Sequence, residues 1–187
     1  MNYKCLFNNS FIFKLFFYGV LALTVACDLT DQENNQPQYI DFSLEDINPN
    51  SATHGSMIGP SFYGGDVSGY YFGDQGWNLC RARFGALNSL YEDLVSGGYS
   101  DVKIAGINGL DYIEGEISGM IQNRVLPWAQ DNEDSHVWDT WNITLRDFIV
   151  LDINGDFFYK INLTDVDPSI ESNYENLKQL LLDARSN

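Results

Sequence analysis

Asp66-Val-Ser-Gly-Tyr-Tyr-Phe-Gly-Asp-Gln-Gly-Trp77-Asn-Leu-Cys80-Arg81 decides how this chain is read. Val67 to Phe72 is short, apolar and aromatic, which predicts a strand. Gly73 to Gly76 is loop chemistry. From Trp77 to Ser96 the apolar positions Leu79, Ala82, Ala86, Leu87, Leu90 and Leu94 recur at three- and four-residue steps. That spacing predicts a helix, stopped by Gly97-Gly98. Cys80 falls in its first turn, where a helix N-terminus favours a negatively charged sulfur. Dithiol exchange also needs a second sulfur to resolve the mixed disulfide. Three residues earlier, where that sulfur would stand, the chain has Trp77.

Upstream, Tyr39 to Leu44 alternates like a strand, and Asp46 to Asn50 is a turn cluster. Downstream, Asp101 to Ile107 predicts a second central strand. Leu110 to Asn123 reads as a helix interrupted by Gly115 and Gly119. Val125 to Asp131 is a short extended segment, an acidic loop runs on to Ser135, and Val137 to Trp141 reads as a helical turn. Phe148 to Asp152 and Phe157 to Ile161 flank Asn154-Gly155, a strong short-range hairpin signal. Ser169 to Arg185 is an amphipathic helix with Ile170, Tyr174, Leu177, Leu180 and Leu181 on one face. A βαβ unit followed by a ββα unit predicts an α/β protein with a central mixed sheet flanked by helices. Phe72, Leu87, Leu90, Ile104, Ile107, Ile149, Leu151 and Leu180 are the expected core.

The first 26 residues carry Lys4, Lys14 and no acid, then an apolar run from Leu15 to Ala26. That is the pattern of an export signal, and the run is shorter than the roughly 20 residues that span a bilayer. Leu23-Thr-Val-Ala-Cys27 resembles a bacterial lipobox, in which Cys27 is lipidated and becomes the first mature residue. The expected organisation is a signal at 1–26, a polar disordered tether at 27–38 and one domain at 39–187. The expected location is the cell envelope, anchored in the membrane through lipid on Cys27 and facing the periplasm or exterior. The net charge of −16 argues against nucleic acid and against docking on anionic headgroups. Of the three cysteines, Cys5 lies in the signal and Cys27 is the lipid site. Cys80 is therefore alone in the domain and has no partner for an intradomain disulfide.

Trp77 to Leu163 resembles the N-terminal thioredoxin-like domain of selenoprotein P and related bacterial redoxins. The landmarks are Trp77-Asn-Leu-Cys80, the Gly98-Tyr99 that ends the helix, Leu126-Pro-Trp-Ala-Gln-Asp131, Asp134-Ser-His-Val-Trp138 and Asp147 to Tyr159 around Asn154-Gly155. Phe42 to Gly76 also looks like the start of membrane-tethered bacterial thioredoxins. The resemblance implies a thioredoxin fold and thiol or selenol redox chemistry. By that resemblance Trp77 occupies the place of the attacking cysteine or selenocysteine, and Cys80 that of the resolving cysteine. It also places a cis-proline just before the hairpin, where this chain has Arg146 and no proline.

Two function classes follow. One is a redox protein working through the single thiol of Cys80, either as a thiol oxidoreductase forming a mixed disulfide or as a weak peroxidase, with a thiol or protein partner near Trp77 and Cys80. The other is a non-enzymatic binding module that has lost its catalytic pair. The peroxidase motif Pro-x-x-x-Thr-x-x-Cys of the same fold is not met, because Gly73 and Trp77 stand where Pro and Thr belong. Arg81 and Arg83 are the candidate groups to activate the thiol. Trp77 is expected to cap the site or to contact a partner.

His54 and His136 have no partner at ligand spacing, so neither metal nor cofactor is expected. Asp152-Ile-Asn-Gly-Asp156 imitates the start of a calcium loop but lacks its later ligands, and reads as the hairpin turn. The sequons at Asn142 and Asn162 carry meaning only in a eukaryotic secretory path. Mass spectrometry of the mature N-terminus should find a lipid-modified Cys27. A free N-terminus downstream of Cys27 would contradict the anchor.

Overall fold

The computed structural model describes residues 39–186. The expected signal, Cys5, Cys27 and the tether lie outside the described residues. Among the described residues no helix is long and apolar enough to cross a membrane.

The central sheet has five strands in the order β5-β4-β3-β6-β7. They are β3 (Val67–Gly73), β4 (Val102–Asn108), β5 (Trp128–Gln130), β6 (Asp147–Leu151) and β7 (Phe157–Asn162). β3 pairs parallel with β4 over its whole length, from Val67 opposite Val102 to Gly73 opposite Asn108. β6 pairs antiparallel with both β3 and β7. Every residue of β3 is buried, as a strand covered on both faces must be. The βαβ and ββα units of the sequence reading are thus present, with β5 added at one edge. The turn at Gly155 has φ +81°, a left-handed conformation that glycine adopts without strain.

The long helices α1 (Asn78–Ser96) and α4 (Glu171–Asp183) share one face of the sheet. There Phe84, Leu87, Leu90 and Leu94 of α1, with Leu177 and Leu181 of α4, pack on Tyr71, Ile104, Phe148 and Val150. Gly106 in β4 makes this possible. A Cβ there would sit 2.2 Å from the Trp128 ring and 2.8 Å from Phe84. Among the described residues the other face carries only a one-turn helix, α3 (Val137–Thr140), and the N-terminal segment. Phe42, Leu44, Ile58, Val137 and Trp141 cover Tyr70, Phe72, Ile107, Ile149 and Leu151 there.

Three local expectations need correction. Tyr39 to Leu44 is not a continuous strand. Only Leu44–Glu45 (β1) pairs, with Met57–Ile58 (β2), while Tyr39 stacks on Phe157 and meets Trp141 edge to face. Leu110 to Asn123 is not one helix. It is a 3-10 turn at Leu110–Tyr112 and a single turn, α2 (Ser118–Ile121). Gly115 is the reason, because it approaches Gly76 so closely that a Cβ would lie 2.8 Å from the Gly76 nitrogen. Seven of the eight expected core residues are buried, but Leu180 is only half-buried.

Asp46 ties the N-terminal segment to the sheet. It is fully buried and accepts from the backbone N–H of Asn48 (3.0 Å) and of Trp128 (3.1 Å), and from the Thr53 hydroxyl (2.9 Å). A buried carboxylate with this many donors is held, not stranded. Leu177→Ala should cost about 2–5 kcal/mol in urea unfolding, and the half-buried Leu180→Ala clearly less. Equal losses would contradict the helix register.

Candidate functional site

The site lies at the C-terminal end of β3, where the chain turns into α1. Asp74 shapes the loop by accepting from Gly76 N (2.7 Å) through Oδ1 and from Trp77 N (3.1 Å) through its carbonyl. Gln75 locks it. Its N–H donates to Asn108 Oδ1 (2.9 Å), its Nε2 to Gly115 O (2.6 Å), and its Oε1 accepts from Trp128 Nε1 (3.2 Å). Nothing in the local sequence pattern marks Gln75 for this role.

Trp77 is the N-cap of α1, with extended angles (φ −99°, ψ 124°) and no side-chain cap. Cys80 lies in the first turn, as the sequence reading expected. It is fully buried and free. The Tyr71 hydroxyl donates to its carbonyl at 3.3 Å. Burial first, and the nearby Cys80 second, push Tyr71 well above the ordinary phenol range, so it stays a neutral donor.

Arg146 is the side chain that touches the sulfur, with Nη1 3.8 Å from Cys80 Sγ. Its guanidinium also lies over the Trp77 ring, 5.0 Å from the centroid, and its Nε donates to Thr164 Oγ1 (2.8 Å). The backbone holds it there in a left-handed conformation, φ +73°. The Arg146 N–H donates to Phe72 O and its carbonyl accepts from Leu163 N, both at 2.8 Å. Asn162, the second sequon, supports the same turn by donating to Leu145 O (3.1 Å) and Asp147 Oδ1 (2.9 Å). Arg146 thus stands where the resemblance expected a proline, and among the described residues there is no cis peptide.

The arginines nearest Cys80 in sequence act elsewhere. Arg81 donates to the carbonyls of Gln75 (2.7 Å) and Glu116 (2.9 Å). Arg83 is buried, donating to Leu163 O (2.7 Å) and pairing with Asp167 (2.5 Å). Hydrogen bonds from Ser169 and the charge of Arg83 hold Asp167 below the usual carboxylate range. A general cue was available, since Arg146 sits just before the hairpin, but its contact with a residue 66 positions away carries no sequence signal.

The remaining candidates disperse. His54 is exposed, and His136 approaches only Asp139, at 3.4 Å. Among the described residues no group of three His, Cys, Asp or Glu side chains is placed to hold a metal ion. Asp152 Oδ1 accepts from Asn154 N (2.8 Å) and Asp156 N (3.0 Å), which closes the hairpin turn.

No protein-family model matches this chain, and no curated protein matches it. Solved structures do. A candidate protein disulfide isomerase from Bacteroides thetaiotaomicron superposes with a TM-score of 0.58 at 12% identity, covering 79% of this chain and 87% of its own. The exposed lipoprotein thioredoxin Etrx1 of Streptococcus pneumoniae gives 0.56 at 13% identity, covering 75% and 98%. StoA of Bacillus subtilis gives 0.55 at 15% identity, covering 78% and 98%. Likeness at such identity speaks to fold, and the fold of this chain is thioredoxin-like.

Trp77 is 49% exposed, while the sulfur behind Arg146 has no exposure. Arg146, stacked on the exposed Trp77 ring, lies against the buried sulfur. A cation–π contact is worth about 0.5–2 kcal/mol, so its loss raises an open population by roughly 2- to 30-fold. Trp77→Ala should raise the rate of Cys80 alkylation in the folded chain by that order. An unchanged rate would show that the ring is not the cover.

Proposed function

We propose that this chain is an extracytoplasmic thiol-redox protein that works through one thiol, Cys80. The carrying observation is the Arg146 guanidinium against the Cys80 sulfur, inside a thioredoxin-like fold, at the start of α1. Cys80 as thiolate attacks a disulfide of a partner. One sulfur of that disulfide bonds to Cys80 and the other leaves as a thiolate. Trp77 has no sulfur, so the mixed disulfide persists until an external thiolate attacks it and releases Cys80. Arg146 offsets negative charge on the Cys80 sulfur as it attacks and as it leaves.

Several features support an envelope location. The N-terminal residues carry the export and lipobox pattern with Cys27 as the lipid site, and Etrx1 is described as an exposed lipoprotein. The finer likeness to the selenoprotein P N-terminal domain rests on the landmarks from Trp77 to Leu163 and belongs to the same reading. One observation favours the alternative, a binding module with a degenerate site: Cys80 is fully buried.

The test is reaction of the folded chain with an aromatic disulfide, compared with Cys80→Ser as the blank. Redox function predicts one extra mixed disulfide in the parent chain, formed more slowly in Arg146→Met. It also predicts negligible insulin reduction, because turnover needs two sulfurs. Trp77→Cys should form an intramolecular disulfide under oxidant. No modification of Cys80 without denaturant would favour the binding module.

A further inference from the structure

A cavity of about 460 Å³ opens between the Leu110–Tyr112 turn and α3. That volume lies within the range of small-ligand sites. Two aromatic rings form one corner, Tyr112 and Trp138, with centroids 5.5 Å apart and planes at 66°. The half-buried Ile143 and Leu145 add apolar surface, and the exposed Asp111 and Asp139 add negative charge.

The cavity adjoins the thiol site. Leu145 precedes Arg146 in the chain and lines the cavity. Tyr112, which lines it too, is raised above the ordinary phenol range by burial first, then by Asp74, Asp111 and Cys80, and is drawn down by Arg146. Tyr112 therefore lies within electrostatic reach of Asp111 in the cavity and of Cys80 and Arg146 at the thiol site.

We propose that this cavity seats the cationic side chain of a lysine or arginine in a partner polypeptide. Aromatic faces attract a desolvated cation through their quadrupoles. The acids supply the complementary charge. Asp131 is already engaged, accepting from Asn132 N (2.9 Å), Val137 N (3.0 Å) and Trp138 N (3.1 Å). Asp111 and Asp139 are therefore the carboxylates an incoming cation meets. Among the described residues the only basic group lining the cavity is the His136 imidazole, which faces Asp139. The net charge of −16 steers cations toward the chain as a whole. The role of the site rests on the redox reading: a basic residue seated here would hold a partner's disulfide beside Cys80.

Binding itself is tested without the thiol, in full-length Cys80→Ser, so failure here is distinct from failure of the redox reading. The probe is the capped peptide acetyl-Gly-Lys-Gly-amide, with norleucine and glutamate versions as controls. The readout is the Trp138 indole N–H signal in NMR. The lysine peptide should shift it with a Kd on the order of 1 mM, several-fold tighter than norleucine. Added salt should weaken it. Asp111→Asn with Asp139→Asn should weaken it by roughly 2- to 30-fold, the loss of two solvent-screened charges. Equal shifts with norleucine or glutamate, or no change in the double variant, would overturn the proposal. Spermidine binding as tightly as the lysine peptide would overturn the commitment to a polypeptide.

Discussion

The hydrogen bond from Arg146 N–H to Phe72 O, at 2.8 Å, governs the thiol end of the sheet. It joins the last turn before β6 to the end of β3, two residues before Asp74 begins the loop into α1. The reciprocal bond from Leu163 N to Arg146 O fixes the same residue from the β7 side. Between them they hold a non-glycine residue at φ +73°, a conformation that costs free energy and persists only when its surroundings over-determine it. That backbone geometry sends the guanidinium toward Cys80 and under Trp77. Thr164 and the Trp77 ring then limit where the side chain goes.

A second constraint acts on the opposite face of the sheet. With only one turn of α3 there, Tyr70, Phe72 and Ile149 would be exposed unless something else covered them. The segment from Tyr39 to Tyr63 does so with aromatic rings: Phe42 meets Tyr70 and Trp141 edge-on, and Tyr39 stacks on Phe157. Asp46 anchors this cover by accepting from the backbone of Trp128 in β5. Trp128 in turn donates to Gln75 at 3.2 Å. A continuous run of hydrogen bonds thus joins the N-terminal cover, the edge strand and the loop that delivers Trp77.

What was legible in the sequence was what local signals carry. The aromatic β3, the three- and four-residue spacing in α1 and the Asn154-Gly155 hairpin are short-range patterns, and each became the expected element. α4 was legible as a helix. Its buried stripe runs through Leu177 and Leu181, and Leu180 flanks that stripe on the next face. Positions one apart on a helix differ by about 100°, and both faces of this stripe are leucine-rich. The break at Gly115 was not legible, because it depends on contact with Gly76, 39 residues earlier. At the site, the placement of Trp77 and Cys80 at the start of α1 was legible. Arg146 as the partner of the sulfur was not, because sequence nearness pointed to Arg81 and Arg83. Their guanidinium groups satisfy carbonyls of the surrounding loops instead.

In the proposed site Trp77 and Arg146 act as one unit over Cys80. A double-mutant cycle tests this, with the Cys80 modification rate measured in the parent chain, Trp77→Ala, Arg146→Met and the double variant. Coupling predicts that Trp77→Ala changes the rate less in the Arg146→Met background than in the parent chain, because without the guanidinium the ring has no cation to stack on. Rate effects that simply multiply would show two independent side chains and contradict the account.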